Sequence, residues 1–308
     1  MAQNIILPDK TAADIDDRVA RVIRGLGSPE PPIHLEQVRE LLKLDVSFYR
    51  ADDPTALQET VSRMRVAGKQ IFQRPTILLD AIRKASLKAL YVPDGKRILL
   101  DADLPTAKHR WNEAHEVGHS LIPWHEAFMH GDDLHTLNPE CHAIIESEAN
   151  FAAGRLLFLR DLFTEEARSL TPNFDTVKTL KGRYGNTMAS TLYRLTESFG
   201  EDLAIVGAIG CPPYREPADF LQSKPLRHVM HSKAFRKMFS KISDAQIYRA
   251  IKSYCQNKSG GPLGQEELLL EDDNGEEHLF SFETFYNRYD ALTIGIHVEQ
   301  KNAQVYVG

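Results

Sequence analysis

The chain is poor in cysteine, with Cys141, Cys211 and Cys255 the only three in 308 residues. An odd number at wide spacing gives no disulfide framework and fits a reducing compartment. Cys141 reads as a small semi-buried residue rather than a ligand. No apolar run approaches the ~20 residues a membrane span needs, so no membrane partner is expected. The segment Met1 to Pro8 has neither a basic region nor an apolar stretch of leader length, so no signal peptide and a cytoplasmic location are expected. Excess positive charge is also missing. Lys and Arg number 37 against 43 Asp and Glu, a formal net charge of −6, which argues against a dominant nucleic-acid-binding surface. One stretch departs from this balance: Lys224, Arg227, Lys233, Arg236, Lys237 and Lys241 follow one another without an intervening acid. With Phe235, Met238 and Phe239 as an apolar stripe opposite, it reads as the solvated face of a helix. An acidic partner or DNA is the alternative use, so direct DNA contact stays open.

What is present is more specific. His115-Glu116-Val117-Gly118-His119 matches H-E-x-x-H. On a helix its histidines fall at i and i+4, one turn apart on one face, where both imidazoles reach one ion. Glu116 lies beside them, placed to take a proton from an attacking water. Trp111, Ala114, Val117, Gly118 and Leu121 recur at 3,4 spacing, so Pro105 to Ile122 is expected to be that helix, ended by Pro123. Gly118 costs about 1 kcal/mol in a helix interior, which makes sense where a neighbour must come close.

A two-histidine zinc site needs a third protein ligand and an open position. Ala143 to Phe158 has a strong helical pattern, with Ile145, Ala149, Ala152 and Leu156 along one stripe. Glu146 and Asn150 share a face at i and i+4. Glu146 can ligate; Asn150 can hydrogen-bond a ligand histidine and fix its tautomer. Glu148 lies about 200° round the helix from Glu146 and cannot face the same ion, so it is expected to be dispensable for metal binding. Zinc suits the His/His/Glu set, and manganese accepts the same donors.

Together, H-E-V-G-H and the later Glu146-Ser-Glu-Ala-Asn-Phe-Ala-Ala-Gly-Arg-Leu-Leu resemble the ImmA/IrrE family of metallo-endopeptidases. The likeness extends upstream to Arg97-Ile-Leu-Leu-Asp and Arg110-Trp-Asn-Glu-Ala, and downstream to Leu180-Lys-Gly-Arg-Tyr-Gly and Leu192-Tyr-Arg-Leu. It covers roughly residues 35 to 210. The resemblance implies His115, His119 and Glu146 as metal ligands and Glu116 as catalytic base. It implies a protein substrate, typically a helix-turn-helix repressor cut to release transcription under stress. One departure is visible: Phe158-Leu159 stands where the family often has Met-Pro. A non-catalytic DNA- or repressor-binding regulator with a structural or vestigial metal site is the alternative; the intact Glu116 argues against it.

Seven of the twelve histidines lie between His109 and His142, ends included. His125, His130, His135 and His142 fall between the two motifs. A plain loop histidine is the simpler reading for each; His142, at i−4 from Glu146, is the best oxyanion candidate among them. Tyr184 and Tyr193 are further oxyanion candidates.

The expected architecture is α+β. A mainly helical zincin-like protease core with a small sheet spans 1–170, a helix-turn-helix-like segment 171–200, and a C-terminal α/β domain with antiparallel strands 201–308. In the first region, helices are expected at Thr11 to Leu26, His34 to Leu44, Thr55 to Val66 and Leu78 to Leu87. A strand is expected at Asp45 to Tyr49. Ala89 to Val92 and Arg97 to Leu100 flank Asp94-Gly95 as a hairpin, whose edge could bind extended peptide by strand addition. Two short helices flank Gly185-Asn186, with a packing role as the simpler reading. Beyond them, Leu203 to Ile209 reads as a buried strand, and Ala234 to Phe239 and Asp244 to Cys255 as helices. Asn274-Gly275 reads as a hairpin turn, followed by strands at Leu292 to Val298 and Gln304 to Val307. A sensing or partner-binding role is expected for this last region.

Overall fold

The structure is a computed structural model that describes residues 7–49, 89–92, 96–103, 106–125, 139–218 and 220–301. The expected helices at 55–66 and 78–87, the turn at Asp94-Gly95 and the strand at 304–307 lie outside these residues. The fold is mixed α+β. Its contacts divide it into two compact units, Met1–Arg160 and Asp161–Gly308.

In the first unit, α1 (Asp9–Gly25) and α2 (Leu35–Leu42) precede β1 (Asp45–Tyr49), β2 (Ala89–Val92), β3 (Arg97–Asp101), α3 (Thr106–Leu121) and α4 (Pro139–Leu157). The sheet order is β1-β3-β2, with β1 parallel and β2 antiparallel to β3. Leu99 opposes Leu90 and Ile98 opposes Tyr91 across the β2–β3 pair. Ile98, Leu99 and Leu100 are all buried, so the middle of β3 is covered on both faces. α3 packs along α4 and against β2 and β3, while α1 covers α4. Ile15, Val19 and Val22 of α1 and Ala149, Ala152, Ala153 and Leu156 of α4 form buried stripes, and each fully buried aliphatic side chain of Val or Leu size is worth about 2 kcal/mol.

A carboxylate joins α1 to the end of α4. Asp16 accepts from Arg155 Nε and, at 3.0 Å, from Arg160 Nε, with Arg160 Nη2 on its other oxygen. Burial pushes the Asp16 carboxyl up, but the Arg160 and Arg155 guanidinium groups outweigh it and the net shift is downward. A carboxyl whose folded pKa is lowered stabilises above the ordinary value of ~3.9, and the contribution fades as pH falls through the folded value. Asp16→Asn is therefore expected to cost about 2 kcal/mol at pH 7. Its melting temperature should converge with that of the wild type below about pH 4. Equal melting temperatures at pH 7 would remove this ion cluster from the stabilising interactions.

The second unit begins with three helices, α5 (Asp161–Arg168), α6 (Phe174–Tyr184) and α7 (Met188–Ser198). Asn173 caps α6 by accepting from Thr176 N, Gly185 ends it at φ 65°, and Thr187 caps α7 by accepting from Ser190 N. Polar caps at both starts and a left-handed glycine between them explain why this helical pair was legible locally. Leu192 and Leu195 of α7 are buried, and α7 packs on β4 (Ile205–Gly210), β5 (Leu226–His231) and β8 (Ala291–Gln300). α8 (Lys233–Met238), α9 (Asp244–Tyr254), β6 (Gly261–Glu271) and β7 (Glu277–Tyr286) complete the unit. Its five-stranded antiparallel sheet has the order β5-β4-β8-β7-β6. Phe235, Phe239, Phe280 and Phe282 centre the core, with Phe280 edge-on to Phe235 and Phe239 at 5.8 and 5.1 Å between centroids.

Two sequence expectations need correction here. The basic run from Lys224 to Lys241 is not one helix face. Its first half is the edge strand β5, and α8 covers only six residues. β5 forms because β4, buried at all six positions, offers it a paired edge; that tertiary pairing overrides a charged, His-rich local sequence. Arg227 is held there by Asp290 at 2.6 Å. The helix α5 was not foreseen, although Phe163 and Ala167 are buried on its inner face.

Candidate metal centre

Helix α3 presents the motif and α4 the facing carboxylate. The approach of the two helices depends on Gly118. A Cβ there would sit 2.7 Å from the Ala149 carbonyl oxygen and 3.2 Å from Ala152 Cβ. Alanine would gain about 1 kcal/mol of helix propensity, but a backbone carbonyl cannot swing aside as a side chain can. Gly118→Ala is expected to lose about 1–3 kcal/mol by overpacking and to weaken metal binding roughly 10-fold by parting the two helices. Thermal melts and metal titration check both. An unchanged melting point and affinity would mean that the helices adjust freely.

Between these helices three donor atoms converge. His115 Nε2 and His119 Nε2 are 3.1 Å apart. Glu146 places Oε2 3.2 Å from His115 Nε2 and Oε1 3.6 Å from His119 Nε2. All the ligand atoms of this group lie within 4.8 Å of one another, so the three side chains could hold one ion.

The protons of this cluster follow from its outer contacts. His115 Nδ1 is 3.0 Å from Asn150 Oδ1. With Asn150 in that orientation its oxygen can only accept, so Nδ1 carries a hydrogen and Nε2 is left with a lone pair. His119 Nδ1 is 2.9 Å from His125 Nδ1, and His125 Nε2 is 2.8 Å from Glu148 Oε2. The same carboxylate oxygen accepts from Trp124 Nε1 at 2.6 Å. If neutral His125 donates to Glu148, its Nδ1 accepts from His119, and His119 Nε2 also becomes a lone pair. Two imidazole lone pairs and a carboxylate then face one another. Like acceptors at such distances repel unless a cation sits among them, so the donor set fits a metal ion.

Electrostatics point the same way. Burial drives His119 down to about 4 and keeps it neutral. Burial also pulls His115 down, yet the Glu146 hydrogen bond and the Glu116 and Glu146 charges more than offset it, and the net shift is upward. Burial pushes the Glu146 carboxyl up, and hydrogen bonds from His115 and His119 reverse this, holding it well below the ordinary carboxylate range. The cluster thus favours one positive charge at its centre. Glu116 is 5% exposed. Its carboxyl is pushed up to about 7, by burial first and by the Glu146 charge, against His115 and the backbone N–H of Tyr91.

The geometry revises several sequence expectations. Glu148 is not among the three converging donors, yet it is not idle: it is buried and reaches His119 through His125. His125, expected to be a plain loop histidine, is fully buried. No local pattern announces that chain of contacts, because it joins residues six and 23 positions apart. Tyr184 is corrected as an oxyanion candidate. It is completely buried in the second unit, edge-on to Phe163, and its hydroxyl donates to Glu166 at 2.9 Å. His142 lies in α4, its side chain outside the described residues, as are His130 and His135.

A helix bearing H-E-x-x-H is thus faced by a glutamate from the next helix and backed by a small sheet, an arrangement that could hold one metal ion. Residues 75–196 match the family model of the IrrE N-terminal-like domain, Peptidase_M78. That match is in line with the ImmA/IrrE resemblance of the motifs, and the matched stretch runs across the boundary between the two units. Comparison with curated proteins gives no match. Among solved structures, a Mycobacterium tuberculosis transcriptional regulator is similar in fold, with a TM-score of 0.53 at 13% identity, over 93% of this chain and 76% of that one. No helix among the described residues is long and apolar enough to cross a membrane.

Proposed function

We propose that the chain is a metal-dependent endopeptidase that cuts a protein substrate, a helix-turn-helix transcriptional repressor, and so regulates transcription. The observation that carries this reading is the meeting of two imidazoles and the Glu146 carboxylate beside a buried Glu116 poised near neutrality. His115, His119 and Glu146 would hold the ion; zinc fits this set best and manganese is the second choice. When bound, a divalent ion polarises a carbonyl and makes a water more acidic.

The remaining steps belong to the chain's own residues. Glu116 takes the proton of the attacking water and returns it to the leaving amine. A base serves both transfers best when its pKa lies near the working pH, and burial provides this. Asn150, and Glu148 acting through His125, keep the two imidazoles in the tautomer that leaves Nε2 free. Among the described residues β2 lies at the edge of the three-stranded sheet beside α3, so an extended substrate could pair with it by strand addition, which suits a peptide rather than a small molecule.

The repressor assignment is supported by the match to the IrrE N-terminal-like domain and by the likeness in fold to a transcriptional regulator. Its test is incubation of the metal-loaded protein with candidate helix-turn-helix repressors from the same genome, followed by mass mapping of fragments. One defined cut, lost on chelation and restored by zinc, is expected. An intact repressor in the presence of metal-loaded, folded protein would overturn the substrate assignment.

A further inference from the structure

A second set of donors lies in the C-terminal unit, at the turn between β6 and β7. Asp272 follows the end of β6, Gly275 turns the chain at φ 87°, and Glu276 and His278 come after it at alternate positions. Asp272 Oδ1 accepts from the backbone N–H groups of Asn274 and Glu276 at 2.8 and 2.9 Å. Oδ2 takes only the longer contact from the Asn274 amide, at 3.2 Å. It faces His278 Nε2 at 3.6 Å.

That distance is informative. It is too long for a hydrogen bond, whose N···O separation runs 2.7–3.2 Å. It is close to the ~3.4 Å that separates two ligands bound about 2.1 Å from one tetrahedral ion. His278 is 2% exposed, and its Nε2 is buried without a hydrogen-bond partner. Leaving a buried nitrogen unsatisfied is unfavourable unless something meets it. Its other ring nitrogen is 3.0 Å from His297 Nε2, which holds the ring in place; Phe239 packs edge-on against the same ring. Glu276 is exposed and supplies the third donor, and the ligand atoms of Asp272, Glu276 and His278 lie within 4.8 Å of one another.

We propose that Asp272, Glu276 and His278 form a second divalent-metal site in the C-terminal unit, separate from the H-E-x-x-H centre. Two carboxylates and one imidazole select a transition ion such as Zn²⁺ or Mn²⁺ over Ca²⁺, which prefers oxygen donors alone. The exposed Glu276 gives the ion an entry, and the buried Asp272 and His278 give it a fixed seat. Binding ties the turn to β7 and satisfies the orphaned nitrogen, so occupancy stiffens this hairpin. The site is suited to registering metal availability in a chain whose other centre also takes a metal.

The test is calorimetric titration of the full chain with Zn²⁺ and, separately, Mn²⁺, with circular dichroism to verify folding. The wild type is expected to bind two equivalents of at least one ion. A His115→Ala, His119→Ala double variant should bind one. Asp272→Asn keeps an oxygen for the two backbone N–H groups and removes the charge; it should bind one equivalent, or the second at least 10-fold more weakly. Should that variant not fold, the exposed Glu276→Gln replaces it with the same expectation. Combining Asp272→Asn with the histidine pair should leave no binding. A single equivalent in the wild type that vanishes with His115 and His119 overturns the proposal and leaves the peptidase reading intact. Two equivalents persisting in both Asp272→Asn and Glu276→Gln overturn it equally.

Discussion

Replacing Glu116 by glutamine is expected to slow proteolysis by at least roughly 10²-fold, about 2.7 kcal/mol of transition-state stabilisation, while metal content stays at the wild-type level. Glutamine keeps the size of the side chain and an oxygen for the Tyr91 N–H, and loses only the ability to take a proton. Stability should hold or rise. An acid whose folded pKa is raised, here to about 7 and first by burial, destabilises the fold as pH climbs from the ordinary ~4.3 through that value. Removing the ionisable group removes that penalty, so metal-free Glu116→Gln should melt no lower than the wild type at pH 7. The comparison also separates enzyme from regulator. A protein that acts by binding alone would keep its biological output in Glu116→Gln, and output at wild-type level would sink the peptidase mechanism.

The second large effect concerns the two glutamates of α4. Glu146→Gln should lose the bound metal, and activity with it, because a neutral amide replaces the carboxylate that sits 3.2 Å from His115 Nε2. Elemental analysis of the purified variant should approach that of the His115→Ala, His119→Ala double variant, after allowance for metal at the β6–β7 turn. Glu148→Gln should retain the ion more weakly, by roughly 10-fold, since the amide oxygen still accepts from His125 and Trp124 but without charge. Asn150→Ala should weaken binding about 10- to 100-fold through loss of its contact with His115 Nδ1. Stoichiometric metal in Glu146→Gln, or none in Glu148→Gln, would mean that α4 offers the other face to the ion. The sequence alone made Glu148 dispensable; the buried contact with His125 is the reason for expecting a measurable loss.

The sequence by itself determined the local elements. The 3,4 spacing around His115 and His119 marks α3, Gly185-Asn186 marks the break between α6 and α7, and Asn274-Gly275 marks the β6–β7 turn. Each of these signals acts within a few residues, where backbone conformation and hydrogen bonding depend on immediate neighbours. The residue types of H-E-x-x-H and the later glutamate likewise carry their chemistry in the chain itself. Only the tertiary structure decided that Gly118 lets α3 lie against Ala149 and Ala152, that His125 and Glu148 support His119, and that Tyr184 is committed to Glu166. It alone made Leu226–His231 an edge strand rather than a helix face and left His278 Nε2 facing Asp272 without a hydrogen bond. These outcomes depend on which surfaces meet across tens of residues. Burial and pairing energies are set by that meeting, and no local propensity encodes it.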